Sequence, residues 1–275
     1  MHFGLLIIGD EILSGKRADK HLGRAIELLG ARGLTVAYAD YVGDDPDRIT
    51  AALARAFGSG DVVFSFGGIG ATPDDHTRQC AARALGQPLI LHPEAKALIL
   101  ERMQDIAREK GLPYEPDRED NRHRLNMALF PQGSAIIPNP YNKIAGFSHP
   151  GVRGGAVYFV PGFPVMAWPM VEWVLDTYYP HLFRTGAWCE RSLIVVGAME
   201  ATLTPLMEEI ERSHPVKVFS LPSVDHPEWG RHIELGVKGS PQDCAAAFTA
   251  LKNGLAHYDL QLGPELVRNQ ANALI

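Results

Sequence analysis

Hydrophobic residues in this chain alternate between short unbroken runs and longer stretches where they recur every three or four positions. The first pattern predicts buried strands and the second predicts helices with one apolar face. The run through Phe3-Gly4-Leu5-Leu6-Ile7-Ile8 reads as a first core strand. Asp19 to Leu29 follows with Leu22, Ile26 and Leu29 at helical spacing, stopped by Gly30 to Gly33. A strand over Leu34 to Val42 leads to a helix opened by Asp44-Asp45-Pro46, with Ile49, Leu53 and Phe57 on one face. Asp61 to Phe66 is the third strand and Asp75 to Leu85 the third helix. Three such β-α units predict an α/β fold whose mainly parallel sheet is covered by helices on both faces.

Beyond Leu85 the pattern loosens into an amphipathic helix over Pro93 to Lys110 and a polar segment, Tyr114 to Arg124. Arg118, Arg122, His123 and Arg124 in that segment read either as a solvated face or as a lid over phosphates. Strands are expected at Ala135 to Ile137 and Ala156 to Val160, with Pro138 to Gly155 a loop between them. Pro161-Gly162-Phe163-Pro164 then turns into an aromatic helix carrying Trp168, Trp173, Tyr178 and Tyr179, suited to a core or a subunit interface. Composition shifts over Pro180 to Trp188, dividing residues 1–180 from a small α+β domain over 181–275. In that second domain strands are expected at Leu193 to Val196, Val216 to Leu221 and His232 to Lys238, with helices at Thr202 to Ser213 and Pro241 to His257.

The candidate chemistry concentrates where the third strand ends, in Gly67-Gly68-Ile69-Gly70-Ala71-Thr72-Pro73-Asp74-Asp75-His76-Thr77. Glycines there admit positive φ and bring main-chain N–H groups close to a ligand oxygen, while the following helix presents its positive end. Asp74 and Asp75 would repel a bare phosphate, so the pattern points to metal-assisted phosphate chemistry unless these residues only cap the helix. Neither a Gly-Lys-Ser/Thr nor a Gly-x-Gly-x-x-Gly arrangement is present in the turn. Asp10/Glu11 and Asp44/Asp45 also lie just beyond expected strand ends, the edge at which such sheets bind ligands. Three acidic pairs at one edge can converge on a single cation.

The 275 residues, 46% hydrophobic and 21% charged with a net charge of −6, are ordinary for a globular protein and offer no basic surface for nucleic acid. Cys80, Cys189 and Cys244 are far apart, without zinc-ligand or disulfide spacing. No apolar run reaches the roughly 20 residues that span a bilayer, and the N-terminus lacks a basic leader, so a cytoplasmic protein without membrane partners is expected.

With these motifs assembled, the chain resembles the molybdenum-cofactor-biosynthesis superfamily of MoaB/MogA/MoeA-like domains, most closely the N-terminal portion of competence/damage-inducible CinA proteins. The resemblance rests on Gly9-Asp10-Glu11-Ile12-Leu13-Ser14-Gly15, Val42-Gly43-Asp44-Asp45, the Gly67 to Thr77 segment, Asn139-Pro140 leading to Gly146-Phe147, and Pro161-Gly162-Phe163-Pro164, in that order. It implies a three-layer α/β/α sandwich followed by the small α+β domain, and a homo-oligomer, dimer or trimer. It also implies a nucleotide or pterin-phosphate ligand, possible molybdopterin binding, and a divalent cation, Mg²⁺ or similar.

The matching positions are Asp75 and Asp44 for catalysis and Glu11, Asp44 and Asp75 for the metal. Gly67, Gly68, Gly70, Thr72, Thr77, Asn139, Pro161 and Gly162 match positions for phosphate or nucleotide. The activity implied first is hydrolysis of the pyrophosphate of ADP-ribose or a similar dinucleotide. The alternatives are molybdopterin binding or adenylylation, and a non-catalytic nucleotide sensor. The chain departs from the resemblance at Asn126-Met127-Ala128 and Asn142-Lys143-Ile144-Ala145, where Lys143 could alter which phosphate is gripped. These residues contain no counterpart of the deamidase domain of full-length CinA proteins, so nicotinamide-mononucleotide deamidation is not expected.

Overall fold

The computed structural model describes residues 1–183 and 189–269, and its contacts divide the chain into two compact units. The first comprises Met1–Leu29 and Thr35–Leu182, and the second Gly30–Leu34 and Phe183–Ile275. Residues 184–188, part of the expected compositional boundary, lie outside the described residues.

The first unit begins with β1 (Phe3–Ile8), the single turn α1 (Asp10–Leu13), α2 (His21–Gly30), β2 (Val36–Val42), α3 (Pro46–Ser59), β3 (Val62–Phe66) and α4 (Thr77–Leu85). It continues through β4 (Leu89–Leu91), α5 (Pro93–Lys110), α6 (Glu119–Arg124), β5 (Leu129–Pro131), β6 (Ala135–Ile137), β7 (Gly146–Pro150), β8 (Ala156–Val160) and α7 (Pro164–Tyr178). Six strands form one sheet in the order β2-β1-β3-β8-β7-β6, in which β2, β1, β3 and β8 are mutually parallel and β7 runs antiparallel to both neighbours. β4 and β5 form a separate antiparallel pair.

Every residue of β1 and β3 is buried, as their continuous apolar sequences require of strands covered on both faces. On one face Leu6, Val63, Val157 and Phe159 pack with Ile49, Leu53 and Phe57 of α3, Ala81 of α4 and Ile99 of α5. Phe130, Phe147 and Phe159 stack in series there, with centroids 4.6 Å and 4.2 Å apart. On the opposite face Tyr158 bonds Tyr179 through their hydroxyls at 2.8 Å, and Arg24 of α2 pairs with Glu172 of α7 at 3.1 Å. The aromatic helix α7 buries Ala167, Met170, Val171, Val174 and Leu175, so its apolar stripe belongs to this unit's own core.

The expected loop between β6 and β8 contains β7, whose Phe147 pairs with Phe159. The sequence Gly146-Phe147-Ser148-His149-Pro150 has too few apolar or β-branched residues to announce a strand; pairing with β8 creates it.

The second unit contains β9 (Cys189–Val196), α8 (Glu200–Ser213), β10 (Lys217–His226), β11 (Gly230–Gly239), α9 (Pro241–Leu255) and β12 (Gln261–Asn269). Its antiparallel sheet has the order β10-β11-β9-β12. Leu193, Val195, Leu235 and Val237 share a core with Leu203 and Ile210 of α8 and Phe248 and Leu251 of α9. Sequence patterning misses β12 because its register breaks between Leu262 and Glu265, where Gly263 and Pro264 stand. Among the described residues no helix is long and apolar enough to cross a membrane.

Candidate functional site

The sheet order creates the site. From β1 the chain moves to β2 on one side, then crosses to β3 on the other, so the segments following β1 and β3 diverge and leave a crevice at the carboxyl edge. A cleft of about 550 Å³ occupies that edge. The segments after β1, β2, β3 and β8 all line it, together with parts of the segments 125–128 and 138–145.

The glycine turn is shaped by close approaches. Gly67 has φ 96° and donates its N–H to Val160 O at 3.1 Å, and an added Cβ would lie 2.5 Å from Ile8 O. Gly68 has φ 67°, and its Cβ would collide with Thr77 Oγ1. Thr77, fully buried, donates its hydroxyl to Gly67 O at 3.1 Å and its N–H to Gly68 O at 3.0 Å. It therefore braces the turn from below and is absent from the cleft wall, contrary to its expected place among the phosphate-binding positions. Buried Arg78 also holds the turn, donating to Ile69 O; burial lowers its pKa to about 10 even with Asp75 nearby. Among the described residues, the amides of Gly68, Ile69, Gly70 and Ala71 have no acceptor within the fold. A run of four N–H groups without acceptors on a glycine turn is the kind of donor set to which an anion could bind.

The three acidic pairs divide between structural and cleft positions. Asp45 caps α3, accepting from the N–H groups of Asp47 at 3.1 Å and Arg48 at 2.8 Å. Asp10 and Asp44 bracket the loops after β1 and β2: Asp10 N–H donates to Asp44 Oδ2 at 2.9 Å and Asp44 N–H to Asp10 Oδ1 at 3.1 Å. Asp75 does not cap α4. Its Oδ2 accepts from Thr72 N–H at 2.8 Å and Thr72 Oγ1 at 2.5 Å, folding the turn back on itself. Asp75 Oδ1 accepts no hydrogen bond among the described residues.

Glu11, Asp44, Asp74 and Asp75 all line the cleft, but among the described residues no group of three or more acidic, His or Cys side chains is gathered into a cation cage. The donors that Glu11 and Asp44 present are oxygens, a set suited to Mg²⁺ bound through one or two carboxylates together with a substrate's phosphates. Burial raises the Asp44 pKa; the N–H bond from Asp10 opposes this, and the charges of Asp10, Glu11 and Asp74 add to it. That crowding is what a cation would relieve.

Gly67, Gly68, Gly70, Thr72, Asn139, Pro161 and Gly162 also line the cleft. Asn139 is buried, and its amide holds its own loop, donating to Asn142 Oδ1 at 2.8 Å and Ile144 O at 3.0 Å and accepting from Tyr141 N–H at 3.0 Å. Met127, Asn142, Ile144 and Ala145, from the two divergent segments, line the wall as well. Lys143 does not: φ 66° turns it away, and its Nζ binds Glu101 Oε1 and Asp105 Oδ2 of α5, each at 2.6 Å. It is thus not the phosphate grip considered from sequence. The arginine-rich segment also lies outside the cleft wall, with Arg118 bonded to Asp120 at 2.6 Å. Among the described residues, Arg17 is the cation that lines the cleft, and sequence reasoning missed it. The available signal was its position, six residues after Glu11 in the segment following β1.

The sequence profile described as "Probable molybdopterin binding domain" matches residues 4–181. A CinA-like protein of Syntrophotalea carbinolica is 33% identical over 227 residues, covering 79% of this chain and 52% of its own length. A CinA-like protein of Geobacter metallireducens is 29% identical over 280 residues, covering 100% of this chain and 63% of its own. The chain thus spans 52% and 63% of these two relatives. Among solved structures, the protein CinA of unknown function from Thermoplasma acidophilum aligns with a TM-score of 0.53 and 28% identity, over 64% of this chain and 98% of that one.

Proposed function

The chain belongs to the family of probable molybdopterin-binding domains, of CinA-like kind, and from that membership we infer that its cleft binds a nucleotide through phosphates and hydrolyses a phosphoric anhydride. ADP-ribose or a similar dinucleotide is the proposed substrate. The supporting observation is the run of four amides without acceptors, Gly68 to Ala71, in a cleft that also holds carboxylates. These N–H groups would receive the phosphate oxygens, with Arg17 adding a positive charge. The apolar wall of Met127, Ile144, Phe163 and Met166 would take a flat ring.

Glu11 and Asp44 would hold a divalent cation, whose contribution is neutralisation of phosphate charge. Asp75 Oδ1 would accept the proton of an attacking water, whose oxygen would bond to phosphorus as the bridging P–O bond breaks. Asp44, the other position expected to be catalytic, is the second candidate for that proton.

The test is release of AMP and ribose 5-phosphate from ADP-ribose, alongside FAD, NAD and ADP, with Mg²⁺, Mn²⁺ or Co²⁺. Asp75→Ala should abolish turnover, whereas Thr72→Val keeps the carboxylate and should retain part of it. Full turnover in Asp75→Ala would remove Asp75 from the mechanism. A second reading, binding of a molybdopterin without hydrolysis, is favoured by the family description. Saturable pterin binding with no turnover of any dinucleotide would establish it in place of the first.

A further inference from the structure

Behind the cleft wall lies a histidine that the proposed chemistry does not use. His21 opens α2 and is 5% exposed. Its N–H donates to Asp19 Oδ1 at 2.8 Å, and Asp19 Oδ2 accepts from the Tyr41 hydroxyl at 2.8 Å. The imidazole stacks on Phe66, the last residue of β3, with centroids 4.3 Å apart and planes inclined by 25°. Its Nε2 stands 3.1 Å from Gly162 O, in the turn between β8 and α7. That turn faces the glycine loop closely: a Cβ at Gly162 would lie 3.5 Å from Gly67 Cα.

One ring therefore touches both the strand that ends in the glycine loop and the turn across from it. A carbonyl oxygen has no proton to donate, so Nε2 carries the hydrogen. Nδ1 is then a bare lone pair, buried and without a partner among the described residues.

We propose that His21, as the neutral Nε2–H tautomer, is a positioning residue that tethers the Gly162 turn and sets the width of the nucleotide cleft. The nucleotide part rests on the function inferred above. Two opposing influences act on the ring. Burial disfavours its charged form, while the Gly162 bond and the Asp19 carboxylate favour it; burial prevails and the pKa lies below the ordinary 6.5. Asp19 is itself held by the N–H groups of His21 and Leu22 and by Tyr41, which limits its reorientation toward the new proton. The Nε2–H donor persists when Nδ1 takes a proton, so the tether itself does not depend on pH; what is lost as pH falls from 6.5 through the lower folded value is the stability contributed by the buried neutral ring.

The experiment combines ¹⁵N NMR of the imidazole in the full chain with calorimetric binding of ADP-ribose to wild type, His21→Gln and His21→Phe at pH 5.5 and 7.5. Gln keeps a donor near the Nε2 position without titrating; Phe keeps the stacking without the donor. Without ligand, Nε2 should be protonated at pH 7.5, and the Gly162 and Phe163 amide signals should move with a ring titration below 6.5. His21→Gln should bind nearly as tightly as wild type at both pH values, and His21→Phe about fivefold to tenfold more weakly at both, the effect of one hydrogen bond.

An Nδ1–H tautomer, or turn amides that ignore the titration, would overturn the tether whether or not a nucleotide binds. A His21→Phe variant with wild-type affinity would overturn the positioning role. Failure of wild type to bind any nucleotide, with the expected NMR, would overturn the nucleotide reading and leave the tether standing.

Discussion

The glycine turn depends on Gly67 more than on any catalytic group, and Gly67→Ala separates two costs that are usually confounded. The residue sits at φ 96°, a region where a side chain costs about 1–2 kcal/mol. Its new Cβ would also lie 2.5 Å from Ile8 O, a backbone atom of β1 that cannot rotate aside. Displacing a packed strand end adds about 1–3 kcal/mol, for a total of about 2–5 kcal/mol. For a unit of this size that corresponds to a fall in Tm of roughly 4–20 °C.

Gly86→Ala is the matched control. Gly86 ends α4 at φ 64°, but a Cβ there meets nothing within 4 Å. It should carry only the backbone cost, a fall of roughly 2–8 °C. Differential scanning calorimetry of both variants gives the comparison. Equal losses would refute the reasoning, because they would leave no contribution from the Ile8 carbonyl. Gly67→Ala should additionally weaken ADP-ribose binding, since the strand end it displaces leads directly into Glu11; Gly86→Ala should not.

Three further outcomes are expected. Asp44→Asn keeps an acceptor for Asp10 N–H but removes a charge that the fold disfavours. A raised carboxyl pKa makes wild-type stability fall as pH climbs from 3.8 through the folded value, so the variant should melt higher at pH 7 and not below that window. Mg²⁺ should raise the Tm of wild type and not of Asp44→Asn; a rise of equal size in both would exclude Asp44 from cation binding. Lys143→Ala removes two ion pairs near the surface and should leave the urea midpoint almost unchanged, with ADP-ribose affinity changed less than about twofold. In the second unit, Arg268→Ala strips the partner from Glu190 and Glu234 and should cost roughly 1–3 kcal/mol. Burial raises the Glu234 pKa, but hydrogen bonds from Arg268 and Ser192 bring it below 4.5, so wild type loses this stabilisation as pH falls through the depressed value and the variant should show a smaller acid-side loss.

What was legible in the sequence had local causes. The runs of β1 and β3 and the periodicity of α3 follow from burial patterns that a strand or helix imposes on its own residues. The glycine turn was legible because φ 96° and 67° at Gly67 and Gly68 demand that residue type. β7 and β12 were missed because partners create them: Gly146 packs its Cα against Phe159 O, and Gly263 approaches Ile194 beside a register break. The same limit applies to single side chains. A dense basic run drew attention to Arg118 and its neighbours, whereas position in the fold brings Arg17 to the cleft and fastens Lys143 to α5. Whether Thr77 faces a ligand or braces a loop is likewise set by helix phase at the start of α4, which the motif alone does not reveal.

The paired acids explain how this edge tolerates so much negative charge. Each strand end contributes two adjacent carboxylates, and structural bonds to backbone N–H groups hold at least one at each end. Asp10 binds Asp44 N–H, Asp45 binds two amides of α3, and Asp75 binds Thr72 N–H. Amide donors favour the ionised carboxylate and fix its direction, so repulsion among the acids does not simply splay the loops apart. Glu11, Asp44 and Asp74 then stand in the cleft beside Asp75, with loop geometry set by those bonds. The unrelieved crowding registers at Asp44, where burial and three neighbouring carboxylates raise the pKa against the single N–H bond that opposes them. Among the described residues, the amides of Gly68 to Ala71 in the same cleft wall have no acceptors, the complementary deficit. A phosphate accompanied by a divalent cation would answer both at once: its oxygens would satisfy the amides and its cation would offset the carboxylates. A bare anion or a bare cation would answer only one of them.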